Sequence, residues 1–386
     1  METTLADETG AAWASTVEAI HGRVRSRFSR AEPRRRVRMY LQGLVSSVER
    51  KNSWQLAEHA GEPTPTGMQR LLAGASWDAE AVRDELQAYV VEQLGDPEAV
   101  LIIDETGFPK QGSHSVGVAR QYSGTTGRRE NQQLGVFVAY AGRRGCALID
   151  QALYLPEAWA TDPERRRAGG VPETVAFATK SELAQTMLAR AFAAELPAAW
   201  VVADTVYGGE ELRRWLETQD RRYVLAVPCT QGIWSAGEPV EARTRAAALP
   251  ETTWTRVSAG EGSQGPRWYD WACLALPYEA PPGWAHGLLV RRSVREPSER
   301  AYYRVYAPAD TPPSAMIRVA GRRWCIETAF EEAKGLVGLD HYEVRRWEGW
   351  QRHITLVLLA YAALVVTRAT VAAAAPERGA LVIPSR

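Results

Sequence analysis

Two short apolar runs that each end in an aspartate constrain this chain more than any other feature. Residues 99–103 run into Asp104, and residues 200–203 run into Asp204. A continuous apolar run of four or five residues is the pattern of a strand covered on both faces, as in a parallel sheet packed between helices. Between the two runs lie strand-like stretches at 134–140 and 146–155, joined at Ala141-Gly142-Arg143-Arg144-Gly145, a hairpin-type turn. An amphipathic helix is expected over 181–196, with Ser181 as its N-cap. A helix at 210–219 and a strand at 223–227 follow Asp204.

The order strand, strand, strand, helix, strand, helix, strand is that of the ribonuclease H-like fold. There the first and fourth strands lie side by side and parallel. Asp104 and Asp204 close those two strands and are expected to meet although 100 positions separate them. The fold class expected is α/β: a ribonuclease H-like mixed sheet flanked by helices, with a helical segment ahead of it and a mostly β insertion within it.

Residues 1–95 read as a helical, arginine-rich DNA-binding domain. Helical patterns run over 11–30, 37–48 and 78–94, broken by the turn-forming Glu62-Pro63-Thr64-Pro65-Thr66-Gly67. Residues 96–228 form the first part of the core. Residues 229–310, rich in Gly, Pro and Trp, read as a β-rich insertion, since a structureless loop of that length is rare. Residues 311–386 complete the core, with a helix over 317–335 and a buried apolar helix over 351–375. The apolar run 354–366 is too short to span a bilayer. With no secretory pattern at the start, a cytoplasmic protein without a membrane partner is expected.

Formal net charge is zero, with 46 basic and 46 acidic residues. The distribution is uneven: between Arg23 and Lys51 ten Lys or Arg face only Glu32 and Glu49. Such an excess, with Arg34, Arg35 and Arg36 at its centre, fits a phosphate backbone, and it equally fits a solvated helix face. The four cysteines are scattered without metal-ligand or disulfide spacing, so reduced thiols are expected.

The helix at 317–335 carries a third carboxylate. Arg323, Glu327 and Lys334 are four and seven apart and share one helix face. Converging carboxylates repel one another unless a cation neutralises them, and an oxygen-only donor set favours Mg²⁺, with Mn²⁺ as a substitute. Two such ions suit in-line phosphoryl displacement. Glu105 is expected to point to the opposite strand face from Asp104.

These residues resemble the insertion-sequence DDE transposases of the Tyr-Arg-Glu-Lys signature group. The segment Ile103 to Lys110 looks like their first-aspartate motif, Ala203 to Gly208 like their second, and the helix like their third. Arg323, Glu327 and Lys334 match the spacing, whereas Ala320 stands where the family has tyrosine. The stretch Gly338 to Trp347 also resembles this group. The resemblance implies Asp104, Asp204 and Glu327 as catalytic metal ligands, and DNA contacts from Arg322, Arg323 and Lys334. It implies terminal inverted repeats and target DNA as double-stranded partners, phosphodiester cleavage, joining of the 3′ ends, and a homodimer on paired ends. In relatives with a β insertion a tryptophan stacks on a flipped base; Trp254 or Trp268 would take that place, unless both merely pack the insertion. Two alternatives stay open: a metal-dependent nuclease of the same fold without strand transfer, and a non-cutting DNA-binding derivative of a transposase.

Overall fold

The computed structural model describes residues 15–374 apart from 125, 236, 263 and 264. A helix over 15–24 leads into α1 (Ala31–Leu44), α2 (Ser53–His59), α3 (Thr66–Ala73) and α4 (Ala79–Leu94). Residues 11–14, assigned to the first helix from sequence, lie outside the described residues. Val37, Tyr40, Leu41 and Leu44 recur three and four apart along α1, and they are among the residues it buries. Asn52 caps α2 by accepting from the Trp54 and Gln55 N–H groups, and Asp78 caps α4 by accepting from that of Glu80. Of the turn expected at 62–67, residues 62–65 separate α2 from α3, while Thr66 and Gly67 already belong to α3.

These helices are not an independent unit. Their buried residues belong to the same hydrophobic core as the central sheet. Tyr40 Oη lies 2.8 Å from Nδ1 of the fully buried His353, whose Nε2 is 3.3 Å from the Gly338 carbonyl. Asn52 donates to Glu343 (3.0 Å), and the Lys51 N–H donates to His341 Nδ1 (3.1 Å). The 338–347 stretch thus clasps the amino-terminal helices to the core, with Gly338 in the left-handed conformation (φ 69°) ending the preceding helix.

One mixed sheet organises the molecule. Its first six strands are β1 (Val100–Pro109), β2 (Ala119–Ser123), β3 (Arg128–Gly142), β4 (Gly145–Tyr154), β5 (Trp200–Ala203) and β6 (Arg222–Val227). A separate two-stranded ribbon then pairs β7 (Gly232–Ser235) with β8 (Glu238–Glu241). The main sheet resumes with β9 (Thr255–Gly262), β10 (Gly265–Leu276), β11 (Trp284–Ser293) and β12 (Arg300–Pro308). Its path runs β2-β3-β1-β5-β6-β12-β11-β10-β9, with β4 also on β3. β1, β5 and β6 are mutually parallel and the other pairings antiparallel. β3 is long enough to pair with β2 through its first half and β4 through its second. Residues 229–310, read from sequence as an insertion, supply four strands that continue this sheet, with β12 hydrogen-bonded to β6.

Helix α5 (Lys180–Ala193) packs on β3 and β4, and α6 (Glu210–Thr218) on β6. The cap of α5 is Thr179, not Ser181: Thr179 and Glu182 form a reciprocal capping box, which sets the start two residues earlier. The helix expected over 317–335 is divided into α7 (Pro313–Arg322) and α8 (Trp324–Val337), with Arg323 at the junction. The last helix, α9 (Trp347–Ala374), packs on β4 and α4. By length and apolar composition it could cross a bilayer, yet 78% of its most apolar window is buried inside the protein, so it serves as a core helix. Residue 375, assigned to it from sequence, lies outside the described residues.

Candidate active site

Strand register brings the two aspartates together. The parallel pairing of β1 with β5 ends at Ile103 opposite Ala203, so Asp104 and Asp204 are the next residues on neighbouring strands. β1 itself does not stop at Asp104 as its apolar run suggested. It continues to Pro109 because β3 pairs along its whole length, with Asp104 opposite Phe137 and Pro109 opposite Gln132. Asp104 therefore sits on a strand held on one side only, at the point where the sheet opens.

The electrostatics follow from this placement. The Asp104 side chain is 14% exposed. Its carboxyl is pushed up to about 7, first by burial and then by the negative charge of Asp204, while Arg323 opposes the rise. Asp204 is also raised, by burial first and by Glu105 next, against the Val206 N–H, which donates to its Oδ1 at 2.9 Å.

Glu105 engages other elements. Lys180 at the start of α5 donates to its Oε1 and Tyr207 to its Oε2, both at 2.5 Å. Alternation along β1 gives Asp104 and Glu105 different neighbours, the former Arg323 and the latter α5. Gly208 completes the loop after Asp204: a Cβ there would lie 2.0 Å from the Ala226 carbonyl oxygen of β6, so only glycine permits this approach.

The shared face of Arg323, Glu327 and Lys334 lies along β1. Arg323 reaches Asp104 Oδ2 at 3.5 Å and Glu327 Oε1 at 2.5 Å. Seven residues beyond Glu327, Lys334 donates to Thr106 Oγ1 at 2.8 Å and to the Gly107 carbonyl at 3.3 Å. Among the described residues no three Asp, Glu, His or Cys side chains are close enough to enclose a metal ion. The structure thus brings Asp104 beside Asp204, and it links Glu327 to them through the Arg323 guanidinium. Ala320, at the position where tyrosine was expected, is buried at 7% exposure and presents nothing to the site.

The remaining residues expected to touch DNA are placed differently. Arg322 turns from the aspartates and donates to the Gly142 carbonyl at 2.8 Å. Arg34 donates to the Phe28 carbonyl, Arg35 pairs with Glu62 at 3.0 Å, and Arg36 pairs with Glu32 at 3.1 Å and Glu62 at 3.6 Å. Folding brings Glu62 to Arg35 and Arg36, whereas Glu32 meets Arg36 within α1; an exposed pair contributes roughly 0–1 kcal/mol. The Arg292 and Arg300 guanidinium groups lie 4.2 Å and 5.6 Å from the Trp254 ring, whereas Trp268 is 55% exposed.

Three features escaped the sequence reading. Tyr207 lay within the second-aspartate motif, but its partner Glu105 was 102 positions away. Lys180 is a single lysine at a helix start and carried no signal. Cys146 and Cys325, read as scattered, lie close enough for each thiol to shift the other's titration.

Comparisons with known proteins bear on this arrangement. A family model described as DDE superfamily endonuclease matches residues 23–272, a span that holds Asp104 and Asp204 and ends before Glu327. The chain is 28% identical over 189 residues to the "Probable transposase for insertion sequence element IS701" of Microchaete diplosiphon. That match covers 48% of this chain and 46% of the relative, less than half its length. Among solved structures, a piggyBac transposase synaptic complex with hairpin DNA is similar at 10% identity and a TM-score of 0.47, over 91% of this chain and 69% of that one.

Proposed function

The chain belongs to the DDE superfamily endonuclease family, and from that membership we propose that it is a DNA transposase acting through Asp104, Asp204 and Glu327. One observation carries the reading. Two aspartates stand one residue past the parallel pairing of adjacent strands, and a helix-borne glutamate is linked to Asp104 by a shared arginine. The ribonuclease H-like assignment rests on the strand order β4-β3-β1-β5-β6, with the last two parallel to β1.

The donor set fits a hard divalent cation by its chemistry, with Asp104 and Asp204 adjacent and Glu327 joined to them through Arg323. It offers only carboxylate oxygens, and the repulsion between Asp104 and Asp204 is of the kind that a bound cation removes. Asp104, Asp204 and Glu327 would hold Mg²⁺, or Mn²⁺ in its place, which would supply Lewis acidity toward a phosphodiester. The chain's own residues do the rest. Glu105, gripped by Lys180 and Tyr207, ties β1 to the start of α5 and to the loop after Asp204. Lys334, held by neutral oxygens, keeps its charge available to a phosphate along β1. Arg323 offers a planar fork of the same use.

On this reading residues 1–95 bind the terminal inverted repeats of an insertion sequence, with Arg35 and Arg36 exchanging carboxylates, and Arg34 a backbone carbonyl, for phosphates. Residues 96–228 and 311–386 make up the catalytic core, and 229–310 present Trp254 and Trp268 near the cut. The 3′ ends are joined to target DNA by a homodimer on paired ends.

The test is incubation of the purified protein with a plasmid carrying the DNA that flanks its gene, in Mg²⁺ or Mn²⁺, beside Asp204→Asn and Glu327→Gln. Cleavage at defined ends followed by joined products, lost in both variants, is the expected result. Cutting without joining would replace transposition by simple nuclease action, and binding without cutting would remove the catalytic reading.

A further inference from the structure

We infer that Arg323 is the resident counter-cation of the Asp104–Glu327 pair, and that a divalent ion loads this site only as the guanidinium withdraws from both carboxylates. The inference rests on the metal-ligand reading above and adds a competitor to it.

The geometry is specific. One terminal nitrogen of Arg323 faces Asp104 Oδ2 and the other Glu327 Oε1. The three side chains are 26%, 14% and 32% exposed, so water screens them only in part. A guanidinium stays charged at every accessible pH, so it does not vacate the site by losing a proton. Other cations nearby are otherwise engaged: Lys180 is paired with Glu105, and Lys334 is held by a hydroxyl and a carbonyl. Arg323 also stands at the junction of α7 and α8, where the chain passes from one helix to the next.

A divalent ion on Asp104 and Asp204 would face the guanidinium as a like charge a few ångströms away. Both cannot hold Asp104 at full strength. Metal affinity without DNA is therefore set partly by the cost of releasing Arg323, and a phosphate that accepts the freed fork lowers that cost. Arginine suits the role because it spans two carboxylates at once; a lysine ammonium is a single point charge on a shorter reach.

The test is calorimetric titration of Mn²⁺ into the DNA-free full-length chain, comparing the native protein with Arg323→Gln, Arg323→Lys and Asp104→Asn, each checked by circular dichroism. Arg323→Gln is expected to bind Mn²⁺ at least tenfold more tightly than the native chain. Arg323→Lys is expected to follow Arg323→Gln, because it keeps the charge and loses the bridge. Equal affinity for the native chain and Arg323→Gln, or weaker binding by the variant, would overturn the inference. So would an Arg323→Lys variant that matches the native chain, since net charge and not bridging would then be at work. Should Asp104→Asn bind Mn²⁺ as the native chain does, the metal-ligand reading itself falls, and this inference with it.

Discussion

Tyr207 donates its hydroxyl to Glu105 Oε2 at 2.5 Å and so ties together two segments 102 positions apart. One residue of the pair follows Asp104 and the other lies three beyond Asp204. The bond acts on both aspartates without belonging to either. Lys180 holds the second Glu105 oxygen, so the carboxylate is fixed from two elements.

Tyr207→Phe removes that donor and leaves the phenyl ring in place. Loss of a hydrogen bond to a charged acceptor is expected to cost about 1.5–3 kcal/mol of stability. Urea unfolding measures this directly. Cleavage is expected to fall by more than tenfold, because the loop bearing Asp204 loses its tether to β1. An unchanged unfolding midpoint together with full cleavage would show that the bond does not position the loop.

Gly208→Ala places a methyl group 2.0 Å from the Ala226 carbonyl oxygen, a contact that backbone cannot relieve by a rotamer change. The loop after Asp204 must lift from β6. The expected outcome is lost activity with a lower melting temperature, whereas Gly209→Ala, where a Cβ meets nothing within 4 Å, is expected to melt like the native chain.

Stability in the absence of metal is expected to depend on pH through Asp104. Its folded value of about 7 lies above the ordinary 3.8, so between these values the folded chain binds more protons than the unfolded one. The contribution is therefore full below pH 3.8 and is lost as pH rises through about 7. In EDTA, the native melting temperature minus that of Asp104→Asn is expected to fall as pH is raised across that window. A flat difference would contradict the raised carboxyl.

Asp150 on β4 offers a test of folding away from the site. It is 1% exposed, accepts a forked pair of hydrogen bonds from Arg190 at 3.0 and 3.1 Å, and lies 3.9 Å from Arg83. Asp150→Ala leaves two guanidinium groups facing a hole. A loss of about 3–5 kcal/mol is expected in chemical unfolding, and a loss below about 1 kcal/mol would mean that water replaces the carboxylate.

What the sequence determined by itself was local or periodic. Residues 99–103 and 200–203 declared strands through unbroken apolar character, and the spacing of Arg323, Glu327 and Lys334 declared a common helix face; both rules act over a few residues. The adjacency of Asp104 and Asp204 was legible because the order of elements leaves little choice of topology. Tertiary structure decided the rest. β1 outran its apolar run because β3 supplied hydrogen bonds as far as Pro109, and residues 229–310 joined the main sheet because β6 offered a free edge to β12. The arginines of α1 found Glu62, and Arg323 found both Asp104 and Glu327, only once folding fixed distances. A charge has no period in the sequence, and its partner is whatever the fold brings within reach.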